Sequence, residues 1–337
     1  MAAGFSTPEA KTKHDKRRVE FAQTPRPRVG YIRSRMTAVL ASIPSPSSGS
    51  FELFSHFTLH MYGVMLLLGI AGCIWLTGYR WVRWGGDWDL VFRMSLWGVI
   101  AGIIGARAYH DLTSWNQDAT IHEHWYGFAA VWDGGLGIWG AIPVGCLAGA
   151  WVVRRSGNSV RLMMDAVAPG LLLAQGIGRF GNYWNQELYG KPTSLPWKLR
   201  IDQNHQAPID FKYRSTGHYG YYQPTFLYEF LWDGLGVGVL LWIDRRFTLK
   251  RPALFALYVA WYTTFRTYEE VLRIDPSSHF LGMRINFWVS LVVFICAVAF
   301  VVWWQFIRVP ADPSSPTAKP RKIETGPTMA VPKGRVR

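Results

Sequence analysis

The sequence predicts an all-α integral membrane protein with seven transmembrane helices. Its N-terminus lies outside, its C-terminus inside, and a small extracytoplasmic cap sits between spans four and five. Three observations predict this. Half of the 337 residues are apolar and only 17% are charged, whereas about a quarter of a soluble chain is charged. The apolar residues fall in seven long blocks, and about 20 such residues in a helix cross a hydrocarbon core of about 30 Å. Basic residues crowd every second loop, as orientation by the positive-inside rule requires.

Residues 1–50 read as a disordered basic arm, rich in Lys and Arg up to Arg35 and broken by Pro25 and Pro27. Met1 and Met36 are both candidate starts, and no cleavable signal peptide is apparent because the first forty residues lack an apolar core. Residues 51–308 form the seven-span domain. The spans are expected at 58–78, 89–109, 128–152, 162–180, 224–243, 252–271 and 284–307. The fourth is the weakest, interrupted by Asp165 and Pro169. Residues 309–337, rich in Pro, Ser, Thr, Lys and Arg, read as a disordered cytoplasmic tail.

The loops set the orientation. Arg80 and Arg83 follow span one, Arg154, Arg155 and Arg161 follow span three, and Arg245, Arg246, Lys250 and Arg251 follow span five. With the basic tail, all of these share one side, which is cytoplasmic. The loop from Asp111 to Gly127 carries no Lys or Arg. Residues 181–222 are then outside, and their tyrosines, Trp197 and scattered Lys and Arg suit a cap at headgroup level.

The net charge of +14 sits in tails and loops. It flanks the spans instead of lining one face, which fits anionic-lipid contact and argues against nucleic acid. Cys73, Cys146 and Cys296 lie far apart inside apolar blocks. They read as small buried hydrophobes, with no disulfide framework or zinc spacing. His122 and His124 in a loop are a weak metal candidate, and no metal or cofactor is expected.

Polar groups inside the apolar blocks carry the functional signal. Gly178-Arg179-Phe180-Gly181-Asn182-Tyr183-Trp184-Asn185-Gln186-Glu187-Leu188-Tyr189-Gly190 closes span four. An arginine within a span needs an anion or a wet cavity. Asn182 and Asn185 add neutral donors and acceptors, and the glycines allow close approach. The segment reads as a phosphate or lipid-headgroup site; the bland alternative is a snorkelling arginine beside a polar turn. His60 and Tyr62 open span one. Arg107 and His110 end span two, and Gly134 and Gly135 lie in the outer half of span three. The stretch from Tyr222 to Glu229 opens span five. Arg266, Glu270 and Arg273, spaced four and three apart, share one face of span six. Arg284 opens span seven. Arginine suits a phosphate because its planar fork stays charged and donates two parallel hydrogen bonds.

These residues resemble the prolipoprotein diacylglyceryl transferases of bacteria over about residues 40–305. Residues 178–190 are similar to the family signature G-R-x-G-N-x-x-N-x-E-x-x-G. His60 to Gly63, Gly134-Gly135, Pro224 to Glu229, and Phe265-Arg266 with Glu270 and Arg273 support it. Ile43-Pro44-Ser45-Pro46 and Gln186 resemble its actinobacterial branch. The resemblance implies an enzyme of the bacterial cell membrane, with its site toward the extracytoplasmic leaflet. It would move the diacylglyceryl group of phosphatidylglycerol onto the lipobox cysteine thiol of a preprolipoprotein, forming a thioether and releasing glycerol-1-phosphate. It implies Arg179 and Arg266 as the essential arginines, with Glu187 catalytic. Tyr62, Asn182, Asn185, Gly190, Glu270, Arg273, Gly134 and Gly135 would bind substrate. The family's two histidines fall at Trp139 and Gln223, which leaves His110 as the reserve base and Glu187 or Glu270 to orient the arginines. The rival reading is a transporter or flippase for an anionic lipid. It would place polar groups at mid-membrane in two related halves, and no repeat is visible. A purely structural membrane protein would leave Arg179, Asn182 and Glu187 without a purpose.

Overall fold

The computed structural model describes residues 42–54, 57–115, 126–131, 134–206 and 220–308. The expected disordered segments beyond 42 and 308, most of the arm and the tail, lie outside the described residues, as do His122 and His124. Among the described residues, seven long helices stand on the predicted apolar blocks: α1 Met61–Arg83, α2 Trp88–Ser114, α3 Ile138–Arg155, α4 Val160–Trp184, α5 Thr225–Arg246, α6 Ala253–Leu272 and α7 Ile285–Val302. A wider helical turn, Trp303–Ile307, continues α7.

Five of them, α1, α2, α4, α5 and α7, are long and apolar enough to cross a membrane. The other two fall short for visible reasons. Helix α3 starts ten residues later than its apolar block, because Gly134 and Gly135 take φ +91° and +66° and break the helix before Ile138. Helix α6 carries Arg266, Glu269 and Glu270 in its last two turns.

Helix α4, expected to be the weakest span, is continuous for 25 residues through Pro169. It is also the most enclosed: half of its apolar window is buried, against 22% for α1 and α2. Helix α4 packs on α1, α5 and α6, while α2 packs on α3 and α6 on α7. The α2–α3 seam is built on missing side chains. A Cβ on Gly140 would lie 2.1 Å from the Gly105 carbonyl oxygen, so the backbones touch, as in small-residue membrane seams. The outer faces are apolar: Leu67, Ile104, Leu147, Trp151, Leu235 and Ile295 are exposed, the pattern of a chain whose surroundings are lipid.

Charge is inside instead. Asp165, the residue expected to interrupt α4, is fully buried. It accepts from the Phe255 amide at 2.8 Å and pairs with Arg251 at 3.1 Å. Arg251 also meets Asp244 at 2.9 Å, and Arg80 meets Asp244 at 3.2 Å. This cluster ties α1, α4, α5 and α6 together at the end carrying the basic loops. Polar groups inside the helices therefore gather at both ends of the bundle, not only at the expected outer one. The cysteines also differ from expectation. Cys73 is half-buried, and Cys146 and Cys296 are exposed on apolar helix faces; all three are free.

The opposite end is not purely helical. Three short antiparallel pairs form there: β1 Ser50–Phe54 with β2 Phe57–His60, β3 Leu199–Arg200 with β4 Tyr221–Tyr222, and β5 His279–Phe280 with β6 Met283–Arg284. Tyr189, Leu199, Ile201, Tyr222, Phe226 and Ile274 make a small buried cluster under them. Burying one such side chain is worth about 1.5–3 kcal/mol. The end of the expected arm joins this layer. Ile43 pairs with Leu199, Ser45 donates to the Arg200 carbonyl at 2.6 Å, and the Pro44 carbonyl accepts from the Tyr183 hydroxyl at 2.9 Å. Residues 43–45 thus belong to this layer.

Candidate active site

The site is built at the strand-bearing end of α4, α5 and α6. Arg179 comes from the last two turns of α4. Its Nη2 lies 2.6 Å from Glu229 Oε1 on the first turns of α5 and donates to the Tyr262 hydroxyl of α6 at 3.4 Å. Glu229 is nearly fully buried, and Arg179 keeps a 17% exposed side chain. Arg266 stands one turn after Tyr262 on α6. Its two terminal nitrogens are held by Glu269 and by Glu270, the latter at 2.5 Å. Arg179 and Arg266 lie within electrostatic reach of each other, with Glu269 and Tyr262 common to both. The two predicted arginines are therefore on one polar seam.

Glu270 is the hub beneath them. It is buried and pairs with Arg266 at 2.5 Å, Arg284 at 2.5 Å and Arg273 at 3.7 Å. A carboxylate at this depth is sustained only by such pairing. Arg273 and Arg284 both grip Asp275, Arg273 through a fork at 2.8 and 2.9 Å and Arg284 at 2.8 Å. Asp275 lies beyond the end of α6. Its partial burial favours the neutral acid, but the two guanidinium groups outweigh that and hold its carboxyl below the usual value.

The signature loop leaves α4 and is locked by its neighbours. Gln186 and Leu188 adopt φ +51° and +58°, a backbone state non-glycine residues rarely hold. Gln186 donates to the Pro46 carbonyl at 3.2 Å and to Asp202 at 3.0 Å, and accepts from the Asp202 amide at 2.9 Å. Thr225 donates to the Leu188 carbonyl at 2.6 Å. Gly190 pairs with Arg273 and donates to the Gln223 carbonyl at 3.0 Å, joining the signature to the end of α6. Asn182 is buried, and its carbonyl accepts from the Glu187 amide at 3.0 Å. The Tyr62 ring rests on Gly181, where a Cβ would come within 2.6 Å of Cδ2.

Two predicted site residues stand apart from the described contacts of the arginines. Glu187 is exposed and accepts from Asn185 at 3.2 Å; among the described residues it touches neither arginine. The orienting carboxylates are Glu229, Glu269 and Glu270. His110 lies against Gly135, where an added Cβ would meet its imidazole at 2.6 Å. Arg107 beside it is committed to the carbonyls of Gly127, Phe128 and Gly134 and to Asp111. This Gly134-Gly135 turn belongs to the α2–α3 pair, and no described contact joins it to Arg179 or Arg266. Trp139 is 59% exposed on the first turn of α3. Glu229 and Tyr262 join the arginines as partners that no expectation named. A glutamate in the first turns of a span was a usable signal; the tyrosine gave none.

The chain is similar to known proteins over most of its length. The family model described as prolipoprotein diacylglyceryl transferase matches residues 49–303. Curated relatives carry the name phosphatidylglycerol–prolipoprotein diacylglyceryl transferase. One from Frankia alni is 47% identical over 276 residues, covering 82% of this chain and 70% of the relative. One from Streptomyces griseus is 44% identical over 271 residues, covering 80% and 79%. One from Bifidobacterium adolescentis is 43% identical over 276 residues, covering 79% and 81%. With the paired arginines and the locked signature loop in place, the chain belongs to the prolipoprotein diacylglyceryl transferase family.

Proposed function

We propose that this protein transfers the sn-1,2-diacylglyceryl group of phosphatidylglycerol to the lipobox cysteine thiol of preprolipoproteins, the first step of bacterial lipoprotein maturation. The observation that carries the proposal is the placement of Arg179 and Arg266 on one seam, each anchored from behind by buried carboxylates. An anchored guanidinium keeps its remaining donors for a phosphate and costs little to reorganise when charge develops.

The thiol sulfur attacks the glycerol carbon bonded to the phosphate oxygen. The carbon–sulfur bond forms, the carbon–oxygen bond breaks, and its electron pair stays on the departing phosphate. Glycerol-1-phosphate leaves, and the thiol proton passes to a base or to the phosphate itself. Arg179 and Arg266 hold the phosphodiester and offset the charge that builds on the leaving oxygen. Their field also favours the thiolate, the reactive form of the cysteine. Glu229 fixes Arg179, while Glu269 and Glu270 fix Arg266. No metal or soluble cofactor enters this scheme, and His110 stays the reserve base.

All seven helices span the cell membrane in this reading, N-terminus out, with the strand-bearing end as an extracytoplasmic cap. Arg80, Arg83, Arg154, Arg155, Arg245 and Arg246, in the last turns of α1, α3 and α5, then lie on the cytoplasmic side.

The test is a transfer assay in detergent with phosphatidylglycerol and a lipobox peptide, read as a mass gain on the cysteine. Arg179→Ala and Arg266→Ala should each lower kcat by at least about a hundredfold. Full activity in Arg266→Ala would remove its leaving-group role. Loss of all activity in His110→Ala would promote that residue to base.

A further inference from the structure

Asp233 lies one helical turn beyond Glu229 on α5, and the mechanism above does not use it. It is fully buried, and neither carboxylate oxygen has a hydrogen-bond partner among the described residues. Such a group is costly to keep and marks a place where the structure does something other than stabilise itself.

The packing shows what Asp233 faces. A Cβ on Gly176 of α4 would lie 3.2 Å from Asp233 Cβ, so the acidic side chain occupies the gap that Gly176 leaves. Arg179 is three residues further along α4. Helical side chains lean toward the N-terminus of their helix, so Arg179 reaches back over this gap. Asp233 interacts electrostatically with Arg179, with Glu269 and Tyr258 also in range, yet no ion pair joins it to Arg179. The described contacts of Arg179, to Glu229 and Tyr262, use Nη2 alone.

We propose that Asp233 is a positioning residue of the transferase site: an inner seat for the Arg179 guanidinium that competes with bound phosphate and draws Arg179 off the glycerol phosphate product. This rests on the transfer reading above. With the lipid phosphodiester in place, Arg179 stays outward between Glu229 and the phosphate. After the carbon–oxygen bond breaks, the leaving phosphate carries more negative charge and would hold an arginine more firmly than the substrate did. A waiting carboxylate one turn deeper offsets that gain, because a cation shared between two anions binds each less tightly.

The experiment uses the full chain in detergent and measures inhibition of transfer by added glycerol-1-phosphate. Asp233→Asn should tighten product inhibition by about fivefold or more and lower kcat, without raising the KM for phosphatidylglycerol. Asp233→Glu should move both values back toward wild type, and Asp233→Ser carries the comparison if the asparagine variant is not recovered folded. A residue that merely packs would not tighten product binding when changed. Wild-type protein that transfers nothing sinks the functional reading and this proposal with it. Wild type that transfers, while the Asp233 variants show unchanged or weaker inhibition, sinks the proposal alone.

Discussion

Glu229 decides where the Arg179 guanidinium sits. The pair spans two helices at 2.6 Å and its acidic half is buried, so Glu229→Gln removes the charge without changing the volume. Displacement of the arginine by about 1 Å is expected to lower kcat by about a hundredfold, measured by transfer to a lipobox peptide; unchanged kcat would show that Arg179 needs no anchor. Asp275 gives a pH-dependent counterpart outside the bundle. A carboxyl whose folded value is depressed stabilises the fold above its ordinary pKa and loses that contribution as pH falls through the depressed value. The Arg273 and Arg284 forks should therefore stabilise the protein fully above about pH 4 and progressively less in more acid solution. The thermal midpoint of Asp275→Asn should lie below wild type near neutrality and converge on it in acid. A constant gap across that range would contradict the assignment.

At the scale of elements, the α2–α3 pair depends on glycine more than on any apolar side chain. Gly140→Leu would drive atoms into the Gly105 backbone, which a Cβ alone already meets at 2.1 Å. Overpacking of this kind costs about 1–3 kcal/mol or more, so thermal unfolding in detergent should begin at lower temperature. Retention of the wild-type midpoint would mean that the two helices separate freely. Helix α4 teaches a related lesson. Its Asp165 looked like an interruption because a lone carboxylate inside a span is expensive. The structure supplies the missing partners from α5–α6: Arg251 and the Phe255 amide. The least apolar of the five membrane-length helices is the most enclosed of them, because its Asp165 and Arg179 find partners on other elements.

Across the whole molecule, two charged clusters sit at opposite ends of the bundle. Asp165, Asp244, Arg80 and Arg251 tie together the end with the basic loops, and Glu270 with its arginines organises the end with the strands. The proposed orientation makes a direct forecast for these ends. In intact cells a membrane-impermeant maleimide should label Lys191→Cys in the cap and leave Arg155→Cys untouched until the membrane is opened. The reverse pattern would invert the topology and place the arginine seam on the cytoplasmic side.

The seven helices were legible in the sequence because long apolar blocks leave a chain few other ways to satisfy its backbone. That Arg179 and Arg266 would need partners was legible too, since charge inside an apolar block is costly. Other features depended on neighbours far along the chain. The strand pairs at the ends of the helices are too short to leave a period, and Ile43 finds Leu199 only after α4 has returned the chain to the same end. The partner of Arg179 was equally invisible, because Glu187 lies eight residues away in sequence yet points to Asn185, while Glu229 arrives from another helix. Local composition determined which residues enter the bundle and which charges need company; only the packing of α4 against α5 and α6 decided which charges keep it, because ion pairing depends on distance in space and not along the chain.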